Sequence, residues 1–144
     1  MKTTTPPPLS ATGPRSARVR VADAMHEGVL TCARSSSLED VARLMAERRV
    51  HCVVVTDEAD AESLWGVVSD LDLVAAACVR ELDEQSAGPT AATAALIVTP
   101  GESLQRAAQL MTEHGTAHLV VVDPATRNPV GVLSTLDIAA ALAP

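Results

Sequence analysis

Apolar and polar positions change period along this chain in a set order, and the order occurs twice. VLT (Val29 to Thr31) reads as a short strand, and SLEDVARLMAERRV follows with apolar residues at 38, 41, 45 and 50, close to helical spacing. Ser36 and Glu39 are placed to form a capping box at that helix start. CVVVT (Cys52 to Thr56) is β-branched and uninterrupted, which predicts a strand buried on both faces. A polar loop from Asp57 to Ser63 leads into the strand LWGVVS, and LDLVAAACVRELDE reads as a helix. The second copy runs LIV (Leu96 to Val98), SLQRAAQLMTEHG, LVVVD, the loop PATRN, PVGVLS and LDIAAALA, with positions 104, 107, 108 and 111 on one helical face.

The residues themselves keep the same register. Leu38, Met45, Glu47 and Asp57 return 66 positions later as Leu104, Met111, Glu113 and Asp123. Gly66, Ser69 and Asp72, from GVVSDLD, return 65 later as Gly131, Ser134 and Asp137, in GVLSTLD. The predicted fold class is therefore α/β (α+β): tandem β-α-β-β-α repeats. One repeat, roughly 60 residues, buries its own sheet poorly, so the halves are expected to pack with pseudo-twofold symmetry through their sheets. The expected organisation is a disordered tail over 1–18, a first repeat over 19–84, a linker over 85–90 carrying the breakers Gly88 and Pro89, and a second repeat over 91–144.

Composition narrows the function. With 47% apolar residues, no Phe or Tyr and only Trp65, the core must be aliphatic. A formal charge of −7 without a basic cluster argues against nucleic acid, which draws its affinity from Lys and Arg facing phosphates. Three cysteines, Cys32, Cys52 and Cys78, without C-x-x-C spacing imply neither a disulfide framework nor a zinc knuckle, and suit a reducing cytoplasm. No apolar run approaches the roughly 18 residues of a membrane span, and the proline-interrupted N-terminus lacks the apolar core of a signal peptide.

The repeated Gly-x-x-Ser-x-x-Asp element carries the candidate chemistry. Glycine permits close backbone approach. A serine between a strand end and a helix start sits where free N–H groups favour an anion. An aspartate three residues on can accept hydrogen bonds from a cis-diol. The same spacing is also what N-capping produces without any ligand. His51 beside Cys52 suggests zinc only weakly, because neighbours on a strand diverge, and no metal site is expected. No base, orienting partner and oxyanion donor come together, so enzymatic activity is not expected. Trp65 is either a packing residue or part of an association surface.

A lead-in ending in Met25, the helix with its Leu and Met, the triple-valine strand and the Gly-x-x-Ser-x-x-Asp element together resemble a cystathionine beta-synthase (CBS) domain, twice over roughly Val19 to Leu142, as in a Bateman module. The resemblance implies a regulatory module that binds an adenosine derivative (AMP, ADP, ATP or S-adenosylmethionine) in clefts between the repeats and modulates an unidentified partner protein. No cofactor is required. It implies a homodimer formed through Ala-rich helices, and leaves a ligand-free structural or dimerisation module as the alternative. Carried over by resemblance, the ligand-binding residues are Thr31, Gly66, Ser69 and Asp72 in one cleft, and Ile97, Val98, Gly131, Ser134, Thr135 and Asp137 in the other. Nucleotide-binding members often place Arg or Lys where this chain has Leu71 and Leu136. Asp70 beside Ser69 adds a negative charge where Thr135 is neutral, so the second cleft is ranked above the first for an anion. The second lead-in, PTAATAA, lacks a methionine and is expected to be the shorter lid.

Overall fold

In the computed structural model, which describes residues 8–9, 12–60, 63–91 and 95–143, both triple-valine runs lie inside a sheet with a strand on either side. The strands are β1 His26–Glu27, β2 Thr31–Ala33, β3 Cys52–Thr56, β4 Leu64–Ser69, β5 Ile97–Val98, β6 His118–Val122 and β7 Pro129–Ser134. The helices are α1 Val21–Ala24, α2 Leu38–Arg48, α3 Asp70–Ala77, α4 Ala87–Thr90, α5 Leu104–His114 and α6 Thr135–Leu142. The chain divides into two units, one of Val29–Ala95 and one of Met1–Gly28 with Leu96–Pro144.

In the Val29–Ala95 unit the sheet order is β2-β3-β4, with β2 parallel and β4 antiparallel to β3. Every residue of β3 is buried, as a ladder on both sides and two covered faces require. Leu38, Val41 and Met45 of α2 meet Val53, Val55, Val68 and Leu73 in one aliphatic core. The other unit repeats the plan in the order β1-β7-β6-β5, with Leu104, Ala107 and Met111 of α5 against Leu119, Val121 and Leu133. Its extra strand β1 pairs antiparallel with β7, setting His26 opposite Val132.

Both units use the same clasp, and the residues that supply it come from the other end of the repeat. Val21 N donates to Glu102 O at 2.8 Å, Ala22 N to Pro100 O at 2.9 Å, and Leu104 N to Val19 O at 2.9 Å. Shifted by 66 positions, Ala87 N donates to Ser36 O at 2.8 Å, Gly88 N to Arg34 O at 2.8 Å, and Leu38 N to Gln85 O at 2.9 Å. The segment ahead of the first repeat thus folds with the second, and the segment between the repeats folds with the first. The linker expected at residues 85–90 is therefore structured. Pro89 falls in the first turn of α4, where its missing N–H has no partner to lose. Trp65 Nε1 donates to Gly88 O at 3.0 Å, and the Arg34 guanidinium lies 3.6 Å over its ring, which settles Trp65 as a packing residue of its own unit.

Other boundaries differ from the sequence expectation. The α2 cap is Ser37, whose Oγ accepts from Asp40 N at 3.1 Å, not Ser36. The first strand is Thr31–Ala33 rather than Val29 to Thr31, although Leu30 O already accepts from Val54 N at 2.9 Å. The helix expected through Glu84 stops at Ala77, because Gln85 Nε2 satisfies the carbonyls of Ala76 and Arg80, each at 3.0 Å, and acidic residues after Val79 would oppose the helix dipole. Of the tail expected over 1–18, residues 1–7, 10 and 11 lie outside the described residues. Arg15–Ala17 forms a 3-10 turn, with Arg15 Nε donating to Ala141 O at 3.2 Å. Residues 92–94 of PTAATAA also lie outside them.

Candidate functional site: two strand-to-helix turns

Each Ser-x-x-Asp sits where a long strand passes directly into a helix, β4 into α3 and β7 into α6. Ser69 and Ser134 keep extended backbone while the next residue is helical, which makes each an N-cap. Ser69 Oγ accepts from Asp72 N at 3.2 Å, and Asp72 Oδ2 accepts from Ser69 N at 2.9 Å. Ser134 Oγ accepts from Asp137 N at 3.1 Å, and Asp137 Oδ2 accepts from Ser134 N at 2.8 Å. Both turns are complete reciprocal caps, with the carboxylate held at the positive helix end.

The glycines of the motif serve the clasp. A Cβ on Gly66 would overlap the carbonyl oxygen of Ala91, and one on Gly131 the carbonyl oxygen of His26. The backbone these glycines admit is the chain's own. Thr31 is exposed and opposite Val54, which in turn faces Val67, so it lies at the Ser69 end of its sheet about two strand spacings away, roughly 10 Å. Ile97 stands in the same relation to Ser134 through Val120 and Val132. Val98, by contrast, is in the core with Leu104 and Leu119. Thr135 is exposed, as are Leu71 and Leu136, which follow the two caps by two residues.

The surroundings of the two aspartates are not alike. Asp137 is only 7% exposed, and its Oδ1 accepts from His26 Nδ1 at 2.9 Å. Asp72 is half-buried, and among the described residues its Oδ1 accepts no hydrogen bond. Asp70, whose charge argued against the first site, is engaged through both oxygens: Oδ2 meets His51 Nδ1 at 2.9 Å, and Oδ1 accepts from Leu71 N at 2.8 Å. In the second turn Ala117 O takes the place of His51 O in accepting the first helical N–H, so alanine stands where the first turn has its histidine. The sequence reading weighed His51 only as a zinc ligand and paired neither histidine with an aspartate of the turns. His51 was recoverable, because pairing Cys52 with Ser69 in the hairpin sets 51 opposite 70. His26 lies more than a hundred residues from Asp137 and left no local signal.

Among the described residues no three His, Cys, Asp or Glu side chains gather as a metal site, and no helix is long and apolar enough to cross a membrane. Burial pushes the Cys32 thiol up to about 11, so it is neutral at ordinary pH. A cavity of about 360 Å³ beside β2 is lined by Thr31, Asp40, Arg43 and Glu47, and another of about 430 Å³ by Arg34, Glu58, Trp65 and Ser86. Neither reaches the Ser69–Asp72 turn.

The chain is similar to several known proteins. The chain is 28% identical over 120 residues to the CBS domain-containing protein YhcV of Bacillus subtilis, covering 83% of this chain and 82% of that protein. It is 29% identical over 104 residues to the uncharacterized protein MJ0450 of Methanocaldococcus jannaschii, covering 71% of this chain but only 55% of that longer protein. Among solved structures, the CBS domain protein PAE2072 from Pyrobaculum aerophilum, complexed with AMP, superposes with a TM-score of 0.76 at 27% identity over 86% of this chain and 98% of its own. The CBS domain family model matches twice, over 21–78 and 91–144, each match ending with one of the two capped helices. The repeat seen first as a change of hydrophobic period is a known domain in two copies, and the chain belongs to the CBS domain family.

Proposed function

We propose that the protein is a regulatory module that binds an adenosine-containing metabolite (AMP, ADP, ATP or S-adenosylmethionine) at its Ser-x-x-Asp turns, and that the bound state alters a partner protein. The carrying observation is Asp72: a carboxylate held by its cap, half-exposed, with Oδ1 unbonded among the described residues, at the same sheet end as Thr31. A hydrogen bond from a ribose hydroxyl to such an acceptor is worth about 1.5–3 kcal/mol. The AMP complex of the similar Pyrobaculum protein supports the ligand class. In this reading Ser69 and Thr31 complete the first site, Ser134, Thr135 and Ile97 the second, and Gly66 and Gly131 shape the turns through the clasp. The order of the sites is the reverse of the one the sequence suggests, because Asp70 is paired with His51 and Asp137 with His26.

Ligand-linked regulation requires that the ligand prefer one of two arrangements of the protein, and a homodimer offers such a choice. The exposed Leu71, Val74 and Val79 in and beyond α3 and Leu136 on α6 favour association of two copies. They also favour the second reading, a dimerisation module without a ligand, since both caps are complete unaided. The free thiols suit a cytoplasmic location, and the function is binding rather than catalysis. Calorimetry of nucleotide-stripped protein with AMP, ATP and S-adenosylmethionine separates the readings. Binding of one of them at micromolar to millimolar concentration is expected. Absence of heat or thermal shift with all three, together with a dimer in light scattering, would establish the dimerisation reading instead.

A further inference from the structure

We propose that His26 determines the binding stoichiometry of the module: its imidazole N–H occupies the second aspartate in the place of a ligand hydroxyl, so one ligand binds per chain, at Asp72. This rests on the reading of the two turns as adenosine sites. Pairing of β1 with β7 sets His26 opposite Val132, two residues before Ser134, and from there Nδ1 reaches Asp137 Oδ1 at 2.9 Å. Asp137 Oδ2 is already committed to Ser134 N at 2.8 Å, and the side chain is 7% exposed. Both oxygens therefore carry a donor, and little of the carboxylate is open to another. A ribose hydroxyl arriving there must displace an existing bond to a charged acceptor rather than make a new one, which weakens that site by roughly tenfold or more.

Among the described residues the first turn has no such plug. The residue equivalent to His26 is Ala91 by the clasp at Gly66, or Ala92 by the 66-residue repeat, and alanine has no side-chain donor in either register. Among the described residues, then, the same capping aspartate occurs in one chain with an imidazole on its second oxygen, at Asp137, and without one, at Asp72. Because the ring itself is 79% exposed, removing it disturbs no core.

Titration calorimetry of the full chain with AMP tests this. One equivalent is expected for the unaltered protein, and two of similar affinity for His26→Ala. Asp72→Ala is expected to abolish tight binding in the unaltered protein and to leave one equivalent in the His26→Ala background, with circular dichroism confirming that each variant is folded. Two equal equivalents in the unaltered protein, or one in His26→Ala, would overturn the role of His26 while leaving the adenosine-binding reading intact. No binding of AMP, ATP or S-adenosylmethionine by either protein would overturn both.

Discussion

The two strand-to-helix turns have the same serine, the same aspartate and the same pair of capping bonds, yet Asp137 is buried under His26 and Asp72 keeps an oxygen unbonded among the described residues. Capping is a contest decided within four residues of chain, and both turns win it alike. Availability to a ligand is decided by what the rest of the unit lays across the turn. A motif that recurs therefore shows that the local fold recurs, and its exposure has to be found separately for each copy.

The largest effect expected from breaking this symmetry is at the glycines. Gly66→Ala should destabilise the protein by about 3 kcal/mol, at the upper end of overpacking costs, because the new Cβ overlaps backbone rather than a movable side chain. Gly131→Ala should cost less, since its overlap with the His26 carbonyl is shallower. Urea unfolding of both variants measures the order, and equal losses would mean that the two clasps are held with the same tightness. Next comes ligand binding. Asp72→Ala should weaken AMP by roughly tenfold to a hundredfold, while Asp137→Ala leaves the tight equivalent in place. The opposite order in calorimetry would restore the ranking read from the sequence.

The caps themselves should be indistinguishable. Ser69→Ala and Ser134→Ala are each expected to cost about 1 kcal/mol in urea unfolding, and a clear inequality would show that one turn leans on neighbours for its geometry. The smallest difference lies at the ends of α2 and α5, where the left-handed C-cap is Arg49 at φ 53° in one unit and Gly115 at φ 62° in the other. Arg49→Gly should raise the melting temperature slightly, by up to about 1 kcal/mol in stability, and Gly115→Ala should lower it by a similar amount. If both changes were neutral, the two helix ends would be equally relaxed.

Much of this fold was legible because its signals are local. Uninterrupted valines imply a strand covered on both faces, the spacing of Leu38, Val41 and Met45 implies one buried helical face, and both implications hold in each unit. Ser69, Asp72, Ser134 and Asp137 could be placed at helix starts for the same reason. Local reading failed at Ser36, where the neighbouring Ser37 offered an equally good cap, and past Ala77, where an apolar continuation hid a stop made by the side chain of Gln85. It failed again at Gly88 and Pro89, which break helices in general but not in a first turn.

Taken alone, the order of residues determined that there are two copies, which elements each contains, and that serine and aspartate stand together at each turn, since these depend on contacts within a few residues. Tertiary structure decided that the segment before the first repeat clasps the second, that Gly66 and Gly131 face the chain's own carbonyls, and that His26 rather than solvent meets Asp137. Those outcomes join residues up to 111 positions apart, and only the closing of the sheets brings such groups within hydrogen-bonding distance.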